Sequence, residues 1–505
     1  MTLLSHAGEP AHNPILFADV PDMAMIRVGG TYYMSSTTMH MSPGLPIMAS
    51  TDLVNWRIVN YAHGALADLD DLNLANGRNA YGKGSWASSL RQRGDTFFVT
   101  TFAGTTGETH VYRTKDLEHG PWEAHAFRPA LHDHSLFFDD DGRVYLVHGG
   151  GRIRILELNA EVTGPLKGGL DTVIIEDAST VAGLPVGLPS EGSQLFKVDG
   201  RYYLFNIAWP KGGMRTTIVH RADRITGPYE GRVVLRDRGI AQGGLIDTPE
   251  GKWFAYLFQD RGAVGRIPFL VPVEWRDGWP VPGENGNAPD TLALPVQRPG
   301  VPELVAADEF DRREGEPALP LVWQWNHNPD PANWSLIKRP GFLRITNGRV
   351  DHDVLAARNT LTQRTFGPAC SATTRLDTAG LKDGDCAGLL LLQKEYAWIG
   401  VRVEGEVRKV VMMAVAGDQP VEVASAPLEG AAVHLRADCD FRDRRDKASF
   451  SYSHDGKTWV PLGRPFQMRY TLPHFMGYRF GLFSFATKAP GGCADFDFFR
   501  PAVPD

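Results

Sequence analysis

Cysteine is scarce in this chain: Cys370, Cys386, Cys439 and Cys493 are all it has in 505 residues, and all lie in the last third. Their wide, irregular spacing fits neither a zinc site nor a disulfide framework, so free buried thiols are expected. A net positive charge is also missing. The balance is −7 with a pI near 6.2, which removes the electrostatic reason to expect nucleic acid or an anionic membrane as partner. No stretch approaches the roughly eighteen apolar residues of a membrane span. The opening MTLLSHAGEPAHNPILF has no basic segment followed by an apolar run, so no secretory signal is read there and a cytoplasmic location is expected. What the chain does have is the composition of a globular protein, 43% hydrophobic and 22% charged, with 10% aromatics including twelve Trp. A neutral ligand is the class left open, and aromatic wealth suits one.

Amphipathic helical periodicity is absent from the first 280 or so residues; short alternating runs punctuated by Gly, Asp and Pro stand in its place. Five times a turn is followed by a large apolar pair: Tyr32-Tyr33, Phe97-Phe98, Val144-Tyr145, Tyr202-Tyr203 and Trp253-Phe254. Counted on the second member, the steps are about 65, 47, 58 and 51 residues, the size of one four-stranded propeller blade. A second repeat runs in phase with the first, second and fourth pairs: Asp52, Asp116 and Asp223 follow them by about 19, 18 and 20 residues, where an outer strand is expected to end in a turn. These repeats predict an all-β fold with a five-bladed propeller over residues 1–285. A Pro/Gly/Asn-rich stretch marks a linker at 286–303. The runs Ala387 to Gln393, Ala397 to Val403 and Val407 to Val415, and a hairpin around Ser453 to Trp459, predict an antiparallel β-sandwich over 304–505.

The aromatic repeat also indexes the ring. Twelve residues before Phe98, Tyr145, Tyr203 and Phe254 stand Trp86, Asp133, Glu191 and Gln242, and eleven before Tyr33 stands Asp22. Positions in one repeat phase share one place in a propeller, so three carboxyl groups are expected to converge on the central channel. Two carboxyls flanking an acetal can deliver a proton to the leaving oxygen and activate water, and a third charge nearby keeps the acid protonated. Glu191, with the longer side chain and a following Gly, suits proton delivery. Asp19 competes with Asp22 but is out of phase by three residues. Trp86 is a stacking platform or a core residue. His40, on the loop after the first hairpin, borders the pocket or is a plain surface residue, and Arg266 is a fork for sugar hydroxyls or the partner of a nearby acid.

At these residues the sequence resembles glycoside hydrolase family 43, the five-bladed β-xylosidases, α-L-arabinofuranosidases and arabinanases. The likeness rests on Asn13-Pro14-Ile15-Leu16, Pro21-Asp22-Met23, Trp86-Ala87, Asp133-His134-Ser135-Leu136-Phe137, Glu191-Gly192-Ser193 and Gly265-Arg266-Ile267. The C-terminal part resembles the concanavalin-like sandwich of exo-acting members. The resemblance implies Asp22 as general base, Glu191 as general acid and Asp133 as modulator of the acid, with substrate contacts from Trp86, Arg266, Gln242 and His40. It implies an exo-acting, inverting hydrolase of small plant-derived oligosaccharides that releases β-D-xylose or α-L-arabinofuranose and needs no cofactor for its chemistry. An endo-arabinanase and a non-catalytic sugar-binding propeller are the alternatives. Gln242 stands where many members carry a His, which argues against a His-bound ion at the axis. In the sandwich, Glu309 and Asp495, with Asp308, are candidate ligands for a structural Ca2+, or else ordinary strand-end acids.

Overall fold

The structure is a computed structural model that describes residues 10–295, 298–313, 315, 319–416, 419–472 and 474–504. Five four-stranded antiparallel sheets follow one another along the chain at 24–63, 89–127, 135–175, 186–235 and 241–282. Each apolar pair sits at the start of its blade's second strand, so one side chain enters the packing between blades. Tyr145 and Phe98 are fully buried there. The Asp52 and Asp116 turns fall after the third strand of their blades, and not at the end of the outer one as expected. Asp52 Oδ1 accepts the Val54 and Asn55 backbone N–H groups at 2.9 and 2.8 Å, and Asp116 does the same for Glu118 and His119. A side chain that caps its own turn needs a tight corner, and the tight corner lies between strands three and four.

The first and last blades are joined by side chains. Arg27 Nε donates to Asp247 at 3.2 Å, and Asn13 exchanges hydrogen bonds with the backbone of Leu270. The stretch read as a linker lies against this seam: Thr291–Leu292 pairs with Ala11–His12, and Leu292 and Leu304 are buried with Ile15 and Phe254.

Beyond it, two eight-stranded antiparallel sheets form the sandwich. The three runs picked out from sequence are the strands Asp385–Leu392, Ala397–Glu404 and Val407–Ala416, and the predicted hairpin joins Lys447–Ser453 to Val460–Pro461. One of these sheets ends on a strand that the sandwich does not own. Met41–Ser42, from the first blade's loop, pairs with Gln324–Asn326 and completes the edge. The two parts share one apolar core, in which Val264 and Ile267 of the fifth blade pack with Phe366 and Tyr478. Among the described residues there is no α-helix, and no helix is long and apolar enough to cross a membrane.

Candidate active site

The blades align by strand register at Ala24↔Ser35, Ser89↔Thr100, Ser135↔Val147, Gln194↔Phe205 and Gly244↔Tyr256, each partner lying two residues past the counted aromatic. Two residues before those first-strand positions stand Asp22, Ala87, Asp133, Gly192 and Gln242. All five line one narrow cavity on the ring axis. The sequence index therefore lands on the axis in blades one, three and five, and one residue upstream of it in blades two and four, at Trp86 and Glu191. The physical reason is the length of the first hairpin: paired positions stand eleven residues apart in blades two and four (Ser89↔Thr100, Gln194↔Phe205) and twelve in blades three and five (Ser135↔Val147, Gly244↔Tyr256), so a twelve-residue step overshoots by one in the former. Asp22, Asp133 and Gln242 have φ of 52°, 45° and 62°, and Gly192 has 69°. That left-handed conformation is costly for a side chain other than Gly, and it recurs here only because the blade start demands it.

Asp22 is buried and clamped. Arg266 Nη1 donates to both its oxygens, at 2.9 and 3.0 Å, and Gln242 Nε2 donates to Oδ1 at 2.8 Å. Burial pushes the Asp22 carboxyl up, and the Arg266 charge opposes that rise. Burial disfavours the guanidinium too, but Asp22, Tyr470 and Asp19 more than offset it and hold Arg266 above its ordinary value. The contact, one nitrogen to both oxygens, favours the carboxylate form of Asp22 against that burial. Asp133 is equally buried and accepts the Gly192 N–H at 3.1 Å. Burial and the charges of Glu191 and Asp22 push it up to about 7, against the pull of His132.

Glu191 stands at the rim with its side chain 22% exposed, and its Oε2 meets His132 Nε2 at 3.0 Å. His132 Nε2 also lies 3.9 Å from Asp133 Oδ2. Burial disfavours the imidazolium, yet the hydrogen bond to Glu191 and the charge of Asp133 push it up to about 9. Nothing in the repeat phase selected His132, because the index marks only one residue per blade; its neighbour Asp133 was the sole sequence signal. Trp86 is half-buried beside Phe102 and meets Phe475 edge-on, with ring centroids 4.9 Å apart. Phe475 comes from the sandwich, more than 200 residues beyond the last blade's Arg266, and no local pattern announced it. Arg266 Nη2 donates to the Phe475 carbonyl at 3.1 Å, so the sandwich loop and Asp22 share one guanidinium.

His40 does not border the pocket. It is 2% exposed, with Nε2 3.0 Å from Asn326 Oδ1 and its ring packed on Tyr81 and His327. The next residues, Met41–Ser42, are drawn into the sandwich sheet and carry His40 into the junction. The two acids proposed for Ca2+ do not meet either. Glu309 is held by Arg500 at 2.8 and 2.7 Å, and Asp495 by Arg339 and Arg344 at 2.7 Å. Asp308 is bound by Arg312 and the Trp323 indole. Among the described residues, His132, Asp133 and Glu191 are the only three such side chains that converge, and they belong to the axial site.

The whole chain can now be placed. The model for "Glycosyl hydrolases family 43" matches residues 11–280, and that for "Beta xylosidase C-terminal Concanavalin A-like domain" matches 307–501. The chain belongs to glycosyl hydrolase family 43. A beta-xylosidase of Formosa agariphila is 29% identical over 96% of this chain and 89% of its own. A non-reducing end alpha-L-arabinofuranosidase of Bacteroides ovatus is 27% identical over 77% of this chain and 75% of its own. A solved structure described as a bifunctional GH43-CE of Bacteroides eggerthii is 57% identical with a TM-score of 0.96, over 98% of this chain. The present chain spans 64% of that protein's length. Two acids, Asp22 and Asp133, line the axial cavity, Glu191 stands beside Gly192 of its lining, and the sandwich brings Phe475 against Trp86.

Proposed function

We propose that this family 43 chain is an exo-acting, inverting glycosidase that removes a terminal pentose, β-D-xylose or α-L-arabinofuranose, from small plant-derived oligosaccharides. The observation that carries the reading is the meeting of three acids at the ring axis: Asp22 and Asp133 line one narrow cavity and Glu191 stands beside Gly192 of its lining, with Phe475 against Trp86 nearby. A sandwich loop this close to the axis suits a chain end better than the middle of a polymer, which disfavours the endo-acting alternative. The names of the Formosa agariphila and Bacteroides ovatus relatives support the two sugars.

In this reading Asp22, held as a carboxylate by Arg266, takes a proton from water as that water attacks the anomeric carbon. Glu191 gives its proton to the departing oxygen, and the C–O bond breaks with inversion. Asp133 sets the charge around Glu191, and Gln242 orients Asp22. Trp86 and Phe475 offer apolar faces to the sugar ring. No cofactor enters the chemistry.

The test is Glu191→Ala assayed on an unactivated xylo-oligosaccharide and on aryl β-D-xyloside and α-L-arabinofuranoside. Turnover of the unactivated substrate should fall by about 10²–10⁴-fold, and turnover of an aryl glycoside with a good leaving group by much less. Equal losses on both would remove Glu191 from the acid's role. NMR of the first-formed product should show the inverted anomer, and retention would sink the single-displacement mechanism.

A further inference from the structure

Asp19, which the repeat phase passes over, lies outside the axial cavity but is bonded to three separate segments. Its Oδ1 accepts the Arg266 backbone N–H at 2.7 Å, and its Oδ2 accepts the Gly477 N–H at 3.0 Å. Its own carbonyl accepts Arg364 Nε at 3.0 Å, next to the Ala18↔Phe366 bridge between propeller and sandwich. Arg266 then sends its side chain two ways, with Nη1 to Asp22 and Nη2 to the Phe475 carbonyl. A closed circuit results: Asp19 to the Arg266 backbone, Arg266 to Phe475, and Gly477 back to Asp19.

The circuit has no slack. A Cβ on Gly265 would stand 2.2 Å from Asp19 Oδ1, and one on Gly477 would stand 2.1 Å from the Val264 carbonyl. Phe475 itself has a φ of 50°, a conformation that its surroundings must enforce. From the propeller side Asp19 bonds the loop at Gly477 and Arg266 bonds it at Phe475.

We propose that Asp19 is a positioning residue that fixes the sandwich loop bearing Phe475 to the Arg266 clamp on Asp22, so that docking of the sandwich sets the shape of the sugar pocket. Asp19 touches no reacting atom. It acts through the loop that carries Phe475, whose ring meets Trp86 edge-on. A carboxylate is suited to the task because each oxygen faces an N–H donor. An amide of the same size would turn one NH2 group against one of those donors.

The proposal rests on the pentosidase reading for its kinetic readout and on amide exchange for an independent one. Asp19→Asn should raise KM for the aryl pentoside by about 10- to 100-fold, the loss of a charged, partly buried hydrogen bond, with a smaller change in kcat. In a Phe475→Ala background the same substitution should change KM by less than about twofold, because its effect is transmitted by the ring already removed. In parallel, hydrogen exchange of the amides at 474–478 should quicken in Asp19→Asn while the blade strands exchange as before. KM effects that multiply in the double variant, or loop exchange equal to wild type, would overturn the proposal. Should the wild-type chain hydrolyse neither pentoside, the functional reading fails and the exchange experiment still decides the strut. If Asp19→Asn does not fold, Gly477→Ala, which pushes the loop off Val264 and leaves Asp19 intact, must give the same KM rise and faster exchange; a wild-type KM would overturn it.

Discussion

The catalytic proposal depends most on how three titrating side chains divide their protons. His132 stands 3.0 Å from Glu191 and 3.9 Å from Asp133, and it is the only cation on that side of the acid cluster among the contacts described. Arg266 serves the opposite side and only Asp22. Removing the imidazole charge takes away the side-chain interaction that opposes the rise of Asp133 to about 7. His132→Asn should therefore move the ionisation of Asp133 upward by about one pH unit. The alkaline limb of kcat/KM, where the cluster gives up protons, should move the same way. A pH–rate profile of the two proteins checks this, and a limb that stays put or moves to lower pH would show that His132 does not govern the cluster.

At the level of elements, the site is made by the way each blade begins. Three first strands start from a non-Gly residue in the left-handed region, and the fourth uses Gly192 there. Gly192 has a reason beyond φ. A Cβ on it would lie 2.7 Å from Gln242 Cγ and 3.0 Å from Nε2, the atom that donates to Asp22. Gly192→Ala should cost about 1–3 kcal/mol of stability and lower kcat by about tenfold through a displaced Gln242. Thermal unfolding and steady-state kinetics test the two parts separately, and wild-type kcat would show that Gln242 does not orient the base. The same elements explain what the sequence could disclose. The aromatic pairs are legible because a blade's second strand must bury alternate residues, and they repeat with the blades. The axial residues are legible only to within one position, since the first hairpin spans eleven residues in some blades and twelve in others without changing the apolar pattern. His132 has no periodic signature at all, as it points to the rim from beside an indexed acid.

For the whole molecule, the controlling feature is the junction of propeller and sandwich, which the sequence left almost silent. A two-residue strand, Met41–Ser42, is too short to carry a pattern, and Phe475 meets Trp86 across a sequence distance no local argument spans. The junction buries three histidines: His40, His327 and His474. The His474 ring stacks on Tyr81 at 4.2 Å, 8° from parallel, and His327 Nε2 accepts the Ala80 N–H at 3.0 Å. Burial, together with the charges of His327 and His474 at His40 and of His474 at His327, holds those two well below the ordinary histidine value. Burial and Lys394 bring His474 down to about 3. Each is thus neutral in the folded protein and takes up a proton on unfolding at any pH below about 6.5. The unfolded state then binds more protons, so stability falls as pH drops from about 6.5 toward 3, by up to about 1.4 kcal/mol per pH unit for each histidine. Asp133 works in the other direction. Its raised value means that the folded state gains a proton first as pH falls through about 7, which offsets one of the three histidines down to the ordinary aspartate range. His474→Phe keeps the stack on Tyr81 and removes one titrating group, so it should flatten the acid slope of stability by about 1.4 kcal/mol per pH unit between pH 6 and 4. Urea unfolding across that range measures it. A slope equal to wild type would mean that His474 ionises with the junction still closed, and acid sensitivity would then have to arise elsewhere in the molecule.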